Sequence, residues 1–325
     1  MKAGIGMNLG AERALKGSRV VVTGGAGFVG SHLSDALLAE GASVVCVDTL
    51  VGSGGSKRNI EHLLDNPDFE FVEEDLAVWA SPTHLEGVDV VFNQAASKFT
   101  VSQADPPQDL HVNGLGTLNM LLASHKAGVK KFVHASSGSV FGELREKQDE
   151  NHPKNPASFY GTSKLAGESY CRVVGEIYGL DYTVLRYYHV IGTRQNDSAT
   201  GGVVPIFVTK ALRGEPLTVN GSGKQVRSFT SVHDVVRANI LAATRPDWSQ
   251  EFFNCASSIQ VSILELAEFV ISESKSSSEV RHNAWRDGDI MNFDIDNSKI
   301  RSHGMTFNKA WKEHVRSVIE WYGRS

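Results

Sequence analysis

Two short stretches of this chain carry side chains able to take a proton from an alcohol. Phe132-Val133-His134-Ala135-Ser136-Ser137-Gly138-Ser139-Val140-Phe141-Gly142 reads as a strand that ends in a hydroxyl-rich turn. Tyr160-Gly161-Thr162-Ser163-Lys164 opens a long helical pattern, and its tyrosine and lysine, at i and i+4, share one helix face. Oxidising a carbon that bears a hydroxyl needs a base for the O–H proton while hydride leaves. A free tyrosine ionises at about pH 10, too high for that task, but a nearby ammonium favours the phenolate. Ser137 would donate or accept a hydrogen bond at the reacting oxygen. A tyrosine and lysine at this spacing also arise by chance on helix surfaces, so the rest of the chain must decide.

A glycine-rich turn decides it. Val20–Thr23 run directly into Gly24-Gly25-Ala26-Gly27-Phe28-Val29-Gly30 and then into the helical segment Ser31–Glu40. Gly24 allows the tight turn, Gly27 lets the backbone approach a pyrophosphate, and Gly30 lets helix and strand pack closely. The helix N-terminus offers free N–H groups and a partial positive charge to phosphate. A second strand, Ser43–Val47, ends at Asp48. A carboxylate there accepts from both adenosine ribose hydroxyls and repels a 2′-phosphate, so the spacing predicts NAD as cofactor rather than NADP. The alternative for Asp48 is a solvated turn residue. The positive nicotinamide would add to Lys164 in lowering the Tyr160 pKa.

The elements that must position these groups form a regular rhythm. Strands are expected at Val20–Thr23, Ser43–Val47, Phe69–Val72, Val88–Asn93, Phe132–Ser136 and Tyr182–Leu185. Helical patterns lie at Ser31–Glu40, Ile60–Asp65, Pro107–Ala127 and Phe159–Tyr178. This alternation predicts an α/β fold, a doubly wound parallel sheet covered on both faces. After Arg186 the rhythm breaks into turn-rich pieces, with helical patterns at Val232–Ala243, Ile263–Ser272 and Asn308–Trp321. The expected organisation is a flexible lead-in over 1–16, an NAD-binding domain over 17–186, and a smaller substrate-binding α/β region over 187–325 that interleaves with it.

The 325 residues carry a net charge of -5, which gives no general attraction for nucleic acid or an anionic membrane. Three widely spaced cysteines, Cys46, Cys171 and Cys255, suit a reducing compartment. The N-terminus lacks a signal-peptide apolar stretch and no apolar run is long enough to span a bilayer, so a cytoplasmic protein is expected. The histidines are scattered without ligand spacing, and no metal is expected.

From about Arg19 to Tyr322 the chain resembles the extended short-chain dehydrogenase/reductases. Within them it resembles the NAD-dependent nucleotide-sugar epimerase/dehydratase group typified by UDP-galactose 4-epimerase. The resemblance rests on TGGAGFVGSHL from Thr23, Asp48, Asp75-Leu76, Gln94-Ala95-Ala96, SSGSVFG from Ser136, YGTSK from Tyr160 and LRYYHVIGTRQ from Leu185. It implies Ser137, Tyr160 and Lys164 as catalytic residues. It implies a tightly held NAD at Gly24, Gly27, Phe28, Val29, Gly30, Asp48, Thr49, Ser53, Asp75, Leu76, Gln94, Ala95, Ala96, Lys98, Tyr160, Lys164 and Tyr188. It implies a nucleotide-diphosphate sugar held by Lys98, Ser137, His189, Val204, Arg227, Arg286, Asp289 and Phe293. Arg227 and Arg286 match a pair that clamps the diphosphate, for which a guanidinium fork is suited. Family members pair the helices matching Pro107–Ala127 and Phe159–Tyr178, which implies a homodimer.

Some positions depart from the family pattern. His189 replaces an asparagine, compatible with a hydrogen bond to phosphate or with plain packing. Gly202 replaces another asparagine, and Asn220 stands where an aromatic often packs near the base. Dehydratases and decarboxylases of the family carry carboxylates beside the catalytic hydroxyl; here stand Ser137-Gly138-Ser139. The resemblance therefore implies 4-epimerisation of a nucleotide sugar, a UDP-hexose such as UDP-glucose or UDP-galactose, through transient oxidation at C4. A dehydratase, decarboxylase or reductase is the enzymatic alternative, and a non-catalytic NAD sensor the other.

Overall fold

A computed structural model describes residues 14–51, 55–142, 146–198, 201–285, 291 and 294–324. Seven parallel strands form one sheet: β1 (Arg19–Thr23), β2 (Ser43–Asp48), β3 (Phe69–Glu73), β4 (Val90–Asn93), β5 (Lys131–Ser137), β6 (Tyr182–Tyr187) and β7 (Glu251–Cys255). Their spatial order is β3-β2-β1-β4-β5-β6-β7, all neighbours parallel, which is a doubly wound Rossmann arrangement.

The strands are apolar on both sides because both faces are covered. Along β1, Val20 and Val22 enter one cluster with Leu33 and Leu37 of α1 (Phe28–Ala39). Val21 enters the opposite cluster with Met120 and Leu121 of α2 (Thr117–Ala127), and Cys171 and Val174 of α3 (Phe159–Tyr178). The period of two sends alternate residues to opposite layers. Ser158 caps α3 by accepting from the Gly161 N–H at 3.0 Å, and Gly179 ends it at φ 74°. A third cluster joins α4 (Val203–Leu212), α6 (Ile263–Glu273) and α7 (Trp311–Gly323) through Phe207, Leu266, Val270 and Val318. Between them in the chain, α5 (Val232–Thr244) returns to the main sheet and packs on α1.

Several sequence expectations are corrected. The segment expected as a helix over Ile60–Asp65 is two 3-10 turns, Lys57–Asn59 and Glu61–Leu63. Asn59 spends its side chain on the Ala26 carbonyl at 2.9 Å, which ties this segment to the glycine turn. The pattern over Pro107–Ala127 is broken: a short turn of helix, Pro106–Asp109, leads into a π-helical stretch, Leu110–Gly116, before α2. Strand β7 was not anticipated, because its sequence offers little period; pairing with β6 makes it a strand. Within the expected lead-in, Leu15 is buried in the first cluster; residues 1–13 lie outside the described residues.

Candidate active site

In a doubly wound sheet, ligands bind outside the carboxyl ends of the strands where the order reverses, here between β1 and β4. Gly24 leaves β1 at φ 62°, and a Cβ on it would lie 2.7 Å from Ala95 Cα at the end of β4. A Cβ on Gly30 would lie 2.2 Å from the Gly24 carbonyl oxygen, so only glycine lets α1 start this close to the strand. Gly27 is the N-cap of α1, and no side chain caps that helix. The first-turn donors of Phe28, Val29 and Gly30 thus have no intrahelical partner, which suits a pyrophosphate.

Asp48 ends β2 beside this turn; its Oδ2 accepts from Ala26 N at 3.1 Å and its Oδ1 from Leu50 N at 2.9 Å. Burial pushes its carboxyl pKa up, and those backbone donors oppose the shift. Thr49 Oγ1 accepts from Val51 N at 3.2 Å. Asp75 caps a short helix through Ala77 N at 2.8 Å and meets His111 at 3.1 Å, while Leu76 is buried in the second cluster. Gln94 stands at the switch point, but its side chain turns inward: it accepts from the Tyr187 hydroxyl and donates to Asn239, both at 2.9 Å. Ala95 N donates to Thr23 Oγ1 at 3.2 Å, Ala96 is exposed, and Lys98 has its ammonium pKa lowered by burial. Ser53 lies outside the described residues. An uncapped helix end for a diphosphate, with a carboxylate beside it for a ribose, fits NAD.

The reacting groups meet where β5 ends and α3 begins. Ser137 closes β5; its Oγ accepts from Ser139 N at 3.1 Å and is also within hydrogen-bonding reach of Tyr160. Gly161 brings the two segments together, since a Cβ there would lie 2.4 Å from the Ser139 carbonyl oxygen. Gly167 does the same one turn and a half later, against the His134 ring at 2.8 Å. Lys164 is 2% exposed and donates to the Ala135 carbonyl at 3.0 Å. Burial lowers its pKa to about 8, against the raising effect of Asp109, Cys171 and Glu168.

Tyr160 departs from the sequence expectation. Burial pushes its pKa up to about 12; the Ser137 hydrogen bond opposes this and Asp109 adds to it. At neutral pH this keeps the phenol protonated, and a positively charged ring beside it would act in the opposite direction. Behind the pair, Arg186 forks onto Glu168 with two bonds of 2.8 Å, and Ser136 donates to the same carboxylate at 2.6 Å. This buried ion pair fastens α3 to β5 and β6 and was not singled out from the sequence, where it has no short-range signature.

Tyr188 lies under the Ser137 turn: its ring fills the space beside Gly138, and its hydroxyl donates to Asn254 at 3.1 Å. His189 takes a left-handed backbone, φ 32°, with its ring edge-on to Phe229 at 6.3 Å. Burial and the Arg227 charge lower its pKa to about 3, so it is neutral. Arg227 is 8% exposed and donates to the Val226 carbonyl at 2.9 Å. Val204 is buried in the third cluster. Arg286, Asp289 and Phe293 lie outside the described residues. Near Asn220, the structure supplies an aromatic that sequence reasoning missed: Trp285 packs over Gly221, where a Cβ would lie 2.8 Å from its ring. Among the described residues no cluster of His, Cys, Asp or Glu could hold a metal ion, and no helix is long and apolar enough to cross a membrane.

The model of the NAD dependent epimerase/dehydratase family matches residues 20–256. The chain belongs to that family. As a member of this epimerase/dehydratase family it is an NAD-dependent enzyme of nucleotide-sugar type. It is 36% identical over 307 residues to a putative UDP-glucose 4-epimerase of Methanocaldococcus jannaschii, covering 93% of this chain and 97% of the relative. The solved UDP-glucose 4-epimerase of Thermotoga maritima with UDP-glucose superposes with a TM-score of 0.87 at 32% identity, covering 94% of this chain and 99% of that one. A UDP-N-acetylglucosamine 4-epimerase from Methanobrevibacter ruminantium gives a TM-score of 0.89 at 32% identity, over 95% and 99% of the two chains. The family's dehydratases are also similar: that of Mus musculus acting on dTDP-D-glucose is 28% identical over 94% of this chain and 89% of its own length.

Proposed function

We propose that the chain is a 4-epimerase of nucleotide sugars, with a UDP-hexose such as UDP-glucose or UDP-galactose as substrate. One observation carries the choice of reaction. The turn after β5 holds Ser137-Gly138-Ser139 and no carboxylate, and a Cβ on Gly138 would lie 2.1 Å from the Tyr188 ring. An acid of the kind a dehydratase needs has no room at position 138 unless that buried ring moves. The Ser139 hydroxyl also accepts from Ser137, at 3.2 Å.

Bound NAD supplies a hydride acceptor and then a hydride donor at the sugar C4. Ser137 orients the C4 oxygen, and Tyr160 takes its proton as the carbon is oxidised and returns one when the carbon is reduced on its other face. Lys164, held on the Ala135 carbonyl, keeps a positive charge below this pair. Arg227 and the neutral His189 support the diphosphate end, the histidine as a hydrogen-bonding group with no charge to lose.

The test is incubation of the purified protein with UDP-, dTDP- and GDP-sugars, including UDP-N-acetylglucosamine and UDP-glucuronic acid. A product of unchanged mass, formed without added NADH, is expected. A main product lighter by water or carbon dioxide overturns the reading, and NAD binding without any turnover returns it to a sensor. We also propose a cytoplasmic homodimer. Leu110 and Leu115 on the π-helical stretch, and Val173, Ile177 and Tyr178 on α3, are exposed apolar residues on the two helices that would pair. Sedimentation of Ile177→Glu against the parent protein tests it; an unchanged mass overturns it.

A further inference from the structure

A buried carboxylate outside the Ser137–Tyr160–Lys164 set is linked to the helix that carries Tyr160 and Lys164. Asp109 ends the short helix Pro106–Asp109, immediately before the π-helical stretch, and is 1% exposed. Asn113, one turn on, donates to its Oδ1 at 2.8 Å. The same Asn113 amide donates to Ser163 Oγ at 3.0 Å, and its oxygen accepts from Ser97 N at 2.9 Å. Ser163 lies between Tyr160 and Lys164 in sequence, and its one hydroxyl proton is placed to go either to the Tyr160 carbonyl, at 3.0 Å, or to Asp109. Ser97 adjoins Lys98 at the strand end that the cofactor passes. Asp109 and Asn113 thus tie the start of α3 to the end of β4 from beneath.

A buried carboxylate costs free energy unless it is paired and hydrogen-bonded. Burial pushes the Asp109 carboxyl pKa up, and the hydrogen bonds of Ser163 and Asn113 and the charge of Lys164 oppose the shift. We propose that Asp109 is a positioning residue for the Tyr160–Lys164 pair, fixing Ser163 and Asn113 and acting as the buried countercharge of Lys164. The electrostatics agree in direction. Asp109 raises the pKa of Lys164, which keeps the ammonium charged in a site whose burial works against it. It also raises the pKa of Tyr160, so the phenol holds its proton until a positive ring arrives. The other charged or titratable groups facing the pair are Glu168 and Cys171 on α3 and His134 on β5. Glu168 is spent on Arg186, which leaves Asp109 as the carboxylate without a salt bridge of its own in this set.

The proposal rests on Tyr160 and Lys164 being the reacting pair, so its test needs a readout that does not depend on the substrate. With NAD bound, the phenolate absorbance of the parent protein minus that of Tyr160→Phe isolates the Tyr160 titration. Removing the Asp109 charge should lower the pKa of both neighbours. In Asp109→Asn the Tyr160 midpoint is expected to fall by about one pH unit, the size of effect a single nearby charge has. Both limbs of the kcat–pH profile are expected to move the same way, with KM changed less than kcat. Asp109→Glu, which keeps the charge, should restore the midpoint. Ser163→Ala, which keeps the charge and removes one anchor, should lower kcat without moving the midpoint. If Asp109→Asn does not accumulate as folded protein, the Ser163→Ala and Asp109→Glu profiles carry the test. A midpoint unmoved in folded Asp109→Asn, or moved by Ser163→Ala, overturns the proposal. A midpoint that moves in a protein that epimerises nothing leaves it standing and removes the epimerase reading instead.

Discussion

The two ends of the site are built to different standards of rigidity. Where β5 meets α3, almost every polar group has a partner: Ser137 with Ser139, Lys164 with Ala135, Glu168 with both Arg186 and Ser136. Glycines at 161 and 167 press the helix onto the strand with no space to spare. The region after β6 instead holds two-residue strands, left-handed residues at His189 and Arg194, and turns between them. Long paired elements spread a displacement over many contacts, whereas short strands joined by turns have fewer to spread it over. The contrast fits the proposed division, with the chemistry at the first end and the choice of ligand at the second.

Tyr160→Phe tests the rigid end most severely: turnover should fall by about 10²–10⁴-fold with NAD still bound, as loss of a general base implies. Retained activity would remove the role given to this residue. Gly161→Ala comes next. Its new Cβ must displace the Ser139 carbonyl, so stability should drop by about 1–3 kcal/mol and kcat should fall by more than KM changes. Thermal unfolding and steady-state kinetics read the two effects; a variant normal in both would show that the close approach is not needed. At the pliant end, Arg227→Ala is expected to raise KM by about tenfold and spare kcat, as loss of uniform binding does. A kcat effect as large as the KM effect would erase the proposed division of labour.

The pH dependence of stability gives a smaller signature. Lys164 has a folded pKa of about 8, below its unfolded value, so between these two values the unfolded chain binds more protons. Stability should therefore gain from this group as pH rises above about 8, a gain absent in Lys164→Met. Over the same range Lys164 loses its charge, so turnover should decline while stability gains. Denaturant melts and rate profiles collected together would show whether the two trends diverge. The smallest effect is expected from Trp285→Ala, a half-exposed ring, which should weaken substrate binding by a few fold without touching NAD. Titration calorimetry checks it.

What was legible in the sequence follows the same divide. The glycine turn, Asp48 and the Tyr160–Lys164 spacing are local patterns fixed by backbone geometry, and β1, β2 and α3 lie within a residue or so of where their periods put them. The π-helical stretch was not legible: the side-chain bonds its Asn113 makes run to Asp109, Ser97 and Ser163, partly at distant positions that no local period reports. The inward turn of Gln94 depends on Tyr187 and Asn239, remote in sequence, and the rise in the Tyr160 pKa depends on burial that no spacing reveals. Trp285 reaches Gly221 through the parallel pairing of Val280–Asn283 with Leu217–Asn220, which the turn-rich composition concealed.

Strand β7 has a consequence for biosynthesis. It joins the main sheet from residues 251–255, beyond α4 and α5, and pairs with β6 alone. Until a ribosome has delivered that segment, the nascent sheet ends in an open edge along β6, whose residues Val184 and Leu185 are fully buried once the strand arrives. Such an edge is a template for other chains. A fragment stopped near residue 186 would therefore be prone to self-association, and the region proposed to choose the ligand also completes the main sheet.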